Sequence, residues 1–197
     1  MFTGIVADVG TIVERQEREG GMRLRFATNS LDMADVQIGD SIAANGVCLT
    51  VIALEGKTYT VDVSRETLNC TVGLDQEGGQ VNMEKALRLA DRLGGHLVSG
   101  HVDGVGEVLE FSDLGESWKL TVHAPHKLAR YIAAKGSITI NGVSLTVNAV
   151  ADSDFSVNLI PHTLEITTLK ELHAGSKVNL EIDLIARYVE RMMSADK

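Results

Sequence analysis

Two similar all-β domains in tandem, followed by a helix, are what this sequence predicts. Three observations predict it: an internal copy, short alternating segments punctuated by turn residues, and an amphipathic tail. The copy is plainest at Asn45-Gly46-Val47-Cys48-Leu49-Thr50-Val51. It returns 96 residues later as Asn141-Gly142-Val143-Ser144-Leu145-Thr146-Val147, with six of the seven positions identical. The same offset, without a gap, pairs Gly4 with Gly100, Val6 with Val102, Gly10 with Gly106 and Leu24 with Leu120. It also pairs Ser41 with Ser137, Val61 with Val157, Thr67 with Thr163 and Leu68 with Leu164. A repeat this long is a domain rather than a solenoid unit of about 20–50 residues. Two similar domains make two similar pockets, which points to a protein that handles two copies of one ligand.

The strands are read from period-two patterning. Ser137-Ile138-Thr139-Ile140 alternates, Asn141-Gly142 supplies a tight turn, and Val143 to Val147 alternates again. Asn45-Gly46 repeats the arrangement in the first copy. Such short strands between Gly, Asn and Asp turns predict an antiparallel sandwich or small closed barrel in each half. Helix signals are few. Asn82 to Leu93 carries Met83, Ala86, Leu87, Ala90 and Leu93 at helical spacing and ends at Gly94-Gly95. A second short helix is expected from Pro125, with Leu128, Ala129 and Ile132 on one face. Leu31 to Val36 is its counterpart by offset. In the tail, Ile185, Tyr188, Val189, Met192 and Met193 form one stripe, opposite Arg187, Glu190 and Arg191. A helix of about three turns is marginal alone, so its stripe needs a surface, either its own barrel or the same helix of neighbouring chains. The expected division is 1–96, 97–184 and a terminal helix over 185–197.

Composition excludes several classes. Hydrophobic content of 44% and charged content of 23% are those of an ordinary globular chain. A net charge of −9 without a basic stripe argues against nucleic acid. No apolar run approaches the roughly 18–20 residues that span a bilayer, and Met1-Phe2-Thr3-Gly4-Ile5-Val6 does not read as a secretory signal. Two cysteines, Cys48 and Cys70, fit a reducing cytoplasm. Their repeat partners are Ser144 and Ile166, so neither suggests a disulfide framework or metal site.

Several motifs in order resemble the riboflavin synthases over essentially the whole chain. They are Met1 to Val6, Asn45 to Val51, Glu66-Thr67-Leu68, Gly94-Gly95-His96-Leu97-Val98-Ser99-Gly100-His101-Val102, Ile160-Pro161-His162-Thr163-Leu164-Glu165, and Val178 to Asp183. The resemblance implies two tandem six-stranded Greek-key β-barrels with short helices, and a C-terminal amphipathic helix that assembles a homotrimer. It implies a reaction in which two molecules of 6,7-dimethyl-8-ribityllumazine exchange a four-carbon unit. The products are riboflavin and 5-amino-6-(D-ribitylamino)uracil. No cofactor or metal is implied. The site is expected between the N-terminal barrel of one chain and the C-terminal barrel of a neighbour. Association with lumazine synthase is left open. A rival reading is a lumazine- or flavin-binding antenna or carrier protein of the same double-barrel fold.

The implied chemistry needs one lumazine deprotonated at its 7-methyl group and the other made electrophilic at C7. Stacking the two rings supplies much of the rate, since oriented intramolecular reactions reach effective molarities of about 10⁵ M or more. By resemblance, the first ligand lies against Gly4, Ile5, Val6, Cys48, Leu49 and Thr50, with Asp62, Val63, Ser64, Arg65, Glu66 and Thr67 alongside. The second has Gly100, His101, Val102, Ser144, Leu145, Thr146, Ile160, Pro161, His162, Thr163, Leu164 and Glu165. Lys135 matches a position that reaches a neighbouring chain's ligand. Cys48 and Ser41 are candidates for assisting addition at C7. His101 is the candidate proton acceptor, because imidazole titrates near neutral pH. Thr50 and Asp183 are candidates for holding the ligand or those helpers. The bland alternatives are a buried cysteine, outward strand threonines, a helix-capping Asp183, and structural roles for Ser41, His96 and His101. His162 departs from the family pattern, which often has glutamate there, as Glu66 does in the first copy.

Overall fold

The computed structural model describes residues 1–195; Asp196 and Lys197, at the end of the expected terminal helix, lie outside the described residues. In the first half the strands are β1 (Asp8–Arg18), β2 (Gly21–Ala27), β3 (Ser41–Ala44), β4 (Val47–Glu55), β5 (Thr58–Ser64) and β6 (Gln80–Lys85), with α1 (Arg65–Cys70) before β6. In the second half they are β7 (Gly104–Asp113), β8 (Trp118–His123), β9 (Ser137–Ile140), β10 (Val143–Ala151), β11 (Asp154–Leu159) and β12 (Lys177–Ile182). Helix α2 (His126–Ala129) lies between β8 and β9, α3 (Pro161–Ile166) precedes β12, and α4 (Leu184–Ala195) follows it.

Each set of six strands closes into an antiparallel barrel, in the order β1-β2-β5-β4-β3-β6 and the equivalent order in the second half. Strands β3, β4 and β5 follow one another as hairpins, and β2 returns beside β5, which is a Greek key. The Asn-Gly turns predicted from the sequence join β3 to β4 and β9 to β10. Asn45 and Gly46 have φ of 48° and 80°, and Asn141 and Gly142 have 46° and 81°. Positive φ at both central residues is what a type I′ hairpin requires. Register shifts at Val51/Ala53 and Val147/Ala149, and at Ile12/Glu14 and Val108/Glu110, fall at matching places in the two copies. Such bulges bend a sheet, and closure needs that bend.

Each barrel has its own core. Leu24, Phe26, Ile42, Val51, Tyr59, Val61 and Met83 fill the first, and Leu120, Val122, Ile138, Val147, Phe155, Val157 and Leu180 fill the second. The two barrels face each other about a local twofold axis, because repeat partners meet reciprocally. Phe2 and Val98 exchange backbone hydrogen bonds of 2.7 and 3.0 Å. The Asn82 side chain donates to the Asn141 carbonyl (2.9 Å) and accepts from the Thr168 amide (2.8 Å). Asn179 mirrors it, donating to the carbonyls of Asn45 and Val72 and accepting from the Val72 amide.

Three local expectations need correction. Asn82 to Leu93 is not a helix: its first residues belong to β6 and the remainder is turn and irregular chain. Val81 and Met83 point into the barrel while Asn82 and Glu84 are buried on its other side, so the strand lacks the apolar–polar burial alternation. Leu31 to Val36 makes a turn rather than helix, and α2 is only four residues long. Two further six-residue helices, α1 and α3, follow β5 and β11. Ser64 caps α1 by accepting from the Thr67 amide, and Pro161 opens α3. No helix among the described residues is long and apolar enough to cross a membrane.

Candidate functional site

The two N-terminal segments are exchanged between the barrels. Val6 packs into the second barrel's core and Val102 against the first. The Ser144 amide donates to the Gly4 carbonyl, and the Cys48 amide donates to the Gly100 carbonyl, both at 2.8 Å. This regroups the expected residues. Gly4, Ile5 and Val6 belong with Ser144, Leu145 and Thr146, whereas Gly100, His101 and Val102 belong with Cys48, Leu49 and Thr50. An offset repeat assigns equivalent residues, but it does not say on which barrel a leading segment packs.

Glycine is required at both crossings. Gly4 and Gly100 have φ of 74° and 78°. A Cβ on Gly4 would stand 2.6 Å from the Ser144 Cβ, and one on Gly100 would stand 2.7 Å from the Cys48 Cβ. Each crossing is anchored by a buried carboxylate. Glu84 accepts from the Thr3 amide (2.6 Å), the Thr3 hydroxyl (2.7 Å) and the Gly4 amide (2.9 Å). Glu181 accepts the same three bonds from Ser99 and Gly100, at the same lengths. Burial raises both carboxyl pKa values above the ordinary 4.5, and it outweighs those donors. Glu181 lies within the Val178 to Asp183 motif, but nothing in the repeat marks it or Glu84 as an anchor, because the two are offset by 97 residues instead of 96.

Around the first crossing, that of Gly100 over Cys48, Cys48 is half-buried and Thr50 exposed, while Leu49 between them points into the barrel. Ser41 pairs in register with Thr50. On β5, Asp62 and Ser64 face outward and Val63 inward. Arg23 grips Asp62 through two bonds of 2.7 and 2.8 Å, and this holds the carboxyl below its usual pKa. Arg65, Glu66 and Thr67 lie on α1. Glu66 accepts from the Cys70 thiol. His101 is exposed, and its amide donates to the Ser99 hydroxyl.

Around the second crossing, that of Gly4 over Ser144, Ser144 and Leu145 are half-buried and Thr146 is exposed. Lys135, in a left-handed conformation (φ 67°), is exposed and donates its amide to Val147. Ile160 is 57% exposed at the mouth of α3. Pro161, His162 and Glu165 are exposed on α3, with Thr163 half-buried and Leu164 against the core. Asp183 accepts from the Ile185 amide (2.9 Å), so it does cap α4. His96 sits here as well: its Nδ1 lies 2.7 Å from the Ser144 hydroxyl. The only signal for it was its place in the Gly-Gly-His run.

A cleft of about 640 Å³ opens beside the first barrel, between Thr3, Ile5, Val36, Ser41, Lys85 and Gly94. It holds Ser41 and Ile5, but not Cys48, Thr50 or His101. Among the described residues no group of three or more His, Cys, Asp or Glu side chains is arranged to hold a metal. What the two crossings offer is a pair of matching shallow surfaces. Each has a strand hydroxyl, Thr50 or Thr146, and an exposed turn or helix beside a close backbone crossing at glycine, which suits a flat polar heterocycle.

Comparison with known proteins agrees with this duplicated architecture. The family model for the lumazine binding domain matches twice, over residues 3–86 and 99–183. Riboflavin synthase of Photobacterium leiognathi is 48% identical over all of this chain and 91% of its own. That of Brucella abortus is 44% identical over the full length of both. That of Bacillus subtilis is 39% identical over 98% of this chain and 90% of its own. Among solved structures, LumP complexed with riboflavin superposes with a TM-score of 0.82 at 28% identity, covering 92% of this chain and 99% of that one. LumP complexed with 6,7-dimethyl-8-(1'-D-ribityl) lumazine gives 0.80 at 26% identity, with the same coverage. The duplicated barrel, the paired crossings and full-length identities of this size place the chain in the riboflavin synthase family.

Proposed function

We propose that the chain converts two molecules of 6,7-dimethyl-8-ribityllumazine into riboflavin and 5-amino-6-(D-ribitylamino)uracil, without a cofactor. The observation that carries this reading is the reciprocal crossing. A dismutation needs two copies of one substrate, and the chain builds two equivalent surfaces. It also makes them unequal where the reaction needs a donor and an acceptor: Cys48 against Ser144, His101 against Ile5, and Glu66 against His162.

In this reading one ligand binds at Cys48, Leu49 and Thr50, with Gly100 to Val102 behind it and Asp62 to Thr67 at its edge. The other binds at Ser144 to Thr146, with Gly4 to Val6 behind it and Ile160 to Glu165 at its edge. Ser41 and Cys48 assist addition at C7, and His101 is the proton acceptor, with its exposed imidazole free to reach the ring. Thr50 and Asp183 hold ligand or water in place. The units 1–96 and 97–184 each carry one strand framework and lend their leading residues to the other.

The site is completed by a neighbouring chain, so that Lys135 and the second barrel of one copy close over the first barrel of another. The tail supports assembly. Helix α4 docks on its own barrel through polar groups: Arg187 bonds Asp103 (2.6 Å), and Glu190 meets Arg130 (3.0 Å) and Tyr131 (3.2 Å). Its apolar stripe faces away, with Ile185 64%, Tyr188 61%, Met192 65% and Met193 73% exposed. A stripe left bare in one chain is what a small bundle of such helices would cover, and the trimer is the assembly we propose. A cytoplasmic location fits two free cysteines, and association with lumazine synthase would bring substrate to the site.

A fluorescence titration with 6,7-dimethyl-8-ribityllumazine tests this arrangement. Two ligands per chain are expected, with C48W removing one site and S144W the other. One ligand per chain, unaffected by either substitution, would refute it.

A further inference from the structure

The segment joining the two barrels is pressed against the second crossing. A Cβ on Gly95 would stand 2.1 Å from the Thr3 carbonyl oxygen and 2.9 Å from the Ser144 hydroxyl oxygen. The His96 amide donates to that same Thr3 carbonyl (3.1 Å). These contacts drive the imidazole inward, where His96 is only 8% exposed. Its Nδ1 lies 2.7 Å from Ser144 Oγ and its Nε2 3.4 Å from Thr139 Oγ1.

The direction of the short bond depends on which ring nitrogen carries the proton. Burial pushes the His96 pKa below 6.5, opposed by the charge of Asp183, so the ring is neutral at neutral pH. The buried carboxyl groups of β6 and β12 are both engaged elsewhere: Glu84 holds Thr3 and Gly4, and Glu181 holds Ser99 and Gly100. A neutral imidazole has one donor and one acceptor nitrogen. Hydroxyl donors make bonds of about 2.7–2.8 Å, shorter than the roughly 2.9–3.0 Å of N–H donors. A length of 2.7 Å is compatible with Ser144 O–H donating to Nδ1, and this is the direction we assign. The remaining Nε2–H is left for Thr139.

We propose that His96 is a positioning residue of the second ligand site: by taking the Ser144 proton, it fixes the Ser144 oxygen as a hydrogen-bond acceptor. The ligand group it receives would be a donor, the imide N–H of the pyrimidine edge or a ribityl hydroxyl. This rests on the riboflavin synthase reading and adds a chemical difference between the two sites. Cys48, the repeat partner of Ser144, has no such imidazole partner among the described residues. Protonating His96 reverses the bond: Nδ1–H then donates to Ser144, whose own proton turns toward the ligand and meets a donor.

The test compares H96L, H96N and S144A singly and in combination, by turnover of 6,7-dimethyl-8-ribityllumazine and by its fluorescence titration, each from pH 5 to 8. Leucine at 96 should lower kcat/KM and weaken second-site binding about ten-fold, the size of one hydrogen bond of about 1.4 kcal/mol. Asparagine, whose amide oxygen lies near the position of Nδ1 and does not titrate, should restore most of that and remove the loss of binding at low pH. In the S144A background H96L should cost nothing more. Equal losses from H96L with and without Ser144, or an unchanged low-pH loss in H96N, would overturn the proposal. Wild-type protein that binds lumazine without converting it would sink the enzymatic reading, while the same binding comparison still decides the role of His96.

Discussion

Gly46 and Gly142 meet backbone to backbone at the local twofold axis. A Cβ on Gly46 would stand 2.8 Å from the Gly142 nitrogen, and one on Gly142 would stand 2.7 Å from the Gly46 nitrogen. Neither neighbour is a flexible side chain that can swing away. Both glycines also have φ near 80°. Gly46→Ala or Gly142→Ala should each cost about 1–3 kcal/mol from backbone strain alone, with a further loss from separating the barrels. Chemical denaturation of each variant measures it. Wild-type stability in both would mean that the barrels are not in this contact.

The asparagine pair makes a second prediction about the same interface. Asn82→Ala strands the buried Thr168 amide and the Asn141 carbonyl. Each unsatisfied group costs about 1–3 kcal/mol. Asn82→Ala should therefore destabilise by about 2–6 kcal/mol, and Asn179→Ala similarly. Matched losses in the two variants, read from denaturant midpoints, would reflect the local symmetry.

Glu84 and Glu181 predict a pH dependence with a definite sign. Their pKa values are raised by burial, so the folded protein binds these protons more tightly than the unfolded chain does. That contribution is full below pH 4.5 and is lost as pH rises through the folded values. Glutamine does not titrate. The stability of wild type relative to an E84Q/E181Q double variant should therefore fall between pH 4 and pH 7. A relative stability that rises over that range would show that the bonds from Thr3, Gly4, Ser99 and Gly100 outweigh burial.

The bare stripe of α4 predicts the assembly. A chain ended after Asp183 should sediment as a smaller species than the full protein. If the shortened chain keeps the native oligomer, α4 is not what holds it.

Kinetics separate chemistry from placement at the first crossing. Cys48→Ala and His101→Ala should each slow turnover by more than they weaken lumazine binding, by about 10²-fold for an acid–base role. Equal losses in rate and affinity would assign both residues to positioning.

Much of this was legible in the chain. The period-two runs and Asn-Gly turns specified the β3–β4 and β9–β10 hairpins, because alternation and positive-φ turns leave direct marks in sequence. The terminal helix was legible because its stripe stays unburied. Strand β6 escapes the alternation rule because Asn82 is buried against the opposite barrel and Glu84 against the Thr3–Gly4 segment, tertiary facts that erase alternation. Helices α1 and α3 bury no residue and so carry no stripe. The exchange of Val6 and Val102 was illegible for a different reason. Exchanged and unexchanged barrels bury the same residues in equivalent surroundings, so both satisfy one sequence pattern. His96 fell in the gap between copies, where the repeat offers no comparison.

The most direct test of the account is to mix the purified protein with 6,7-dimethyl-8-ribityllumazine, without added cofactor, and follow both compounds by absorbance. We expect one riboflavin for every two lumazines consumed, with rates in the same ratio. Tight binding of lumazine with no riboflavin formed would contradict the account and make the chain a carrier.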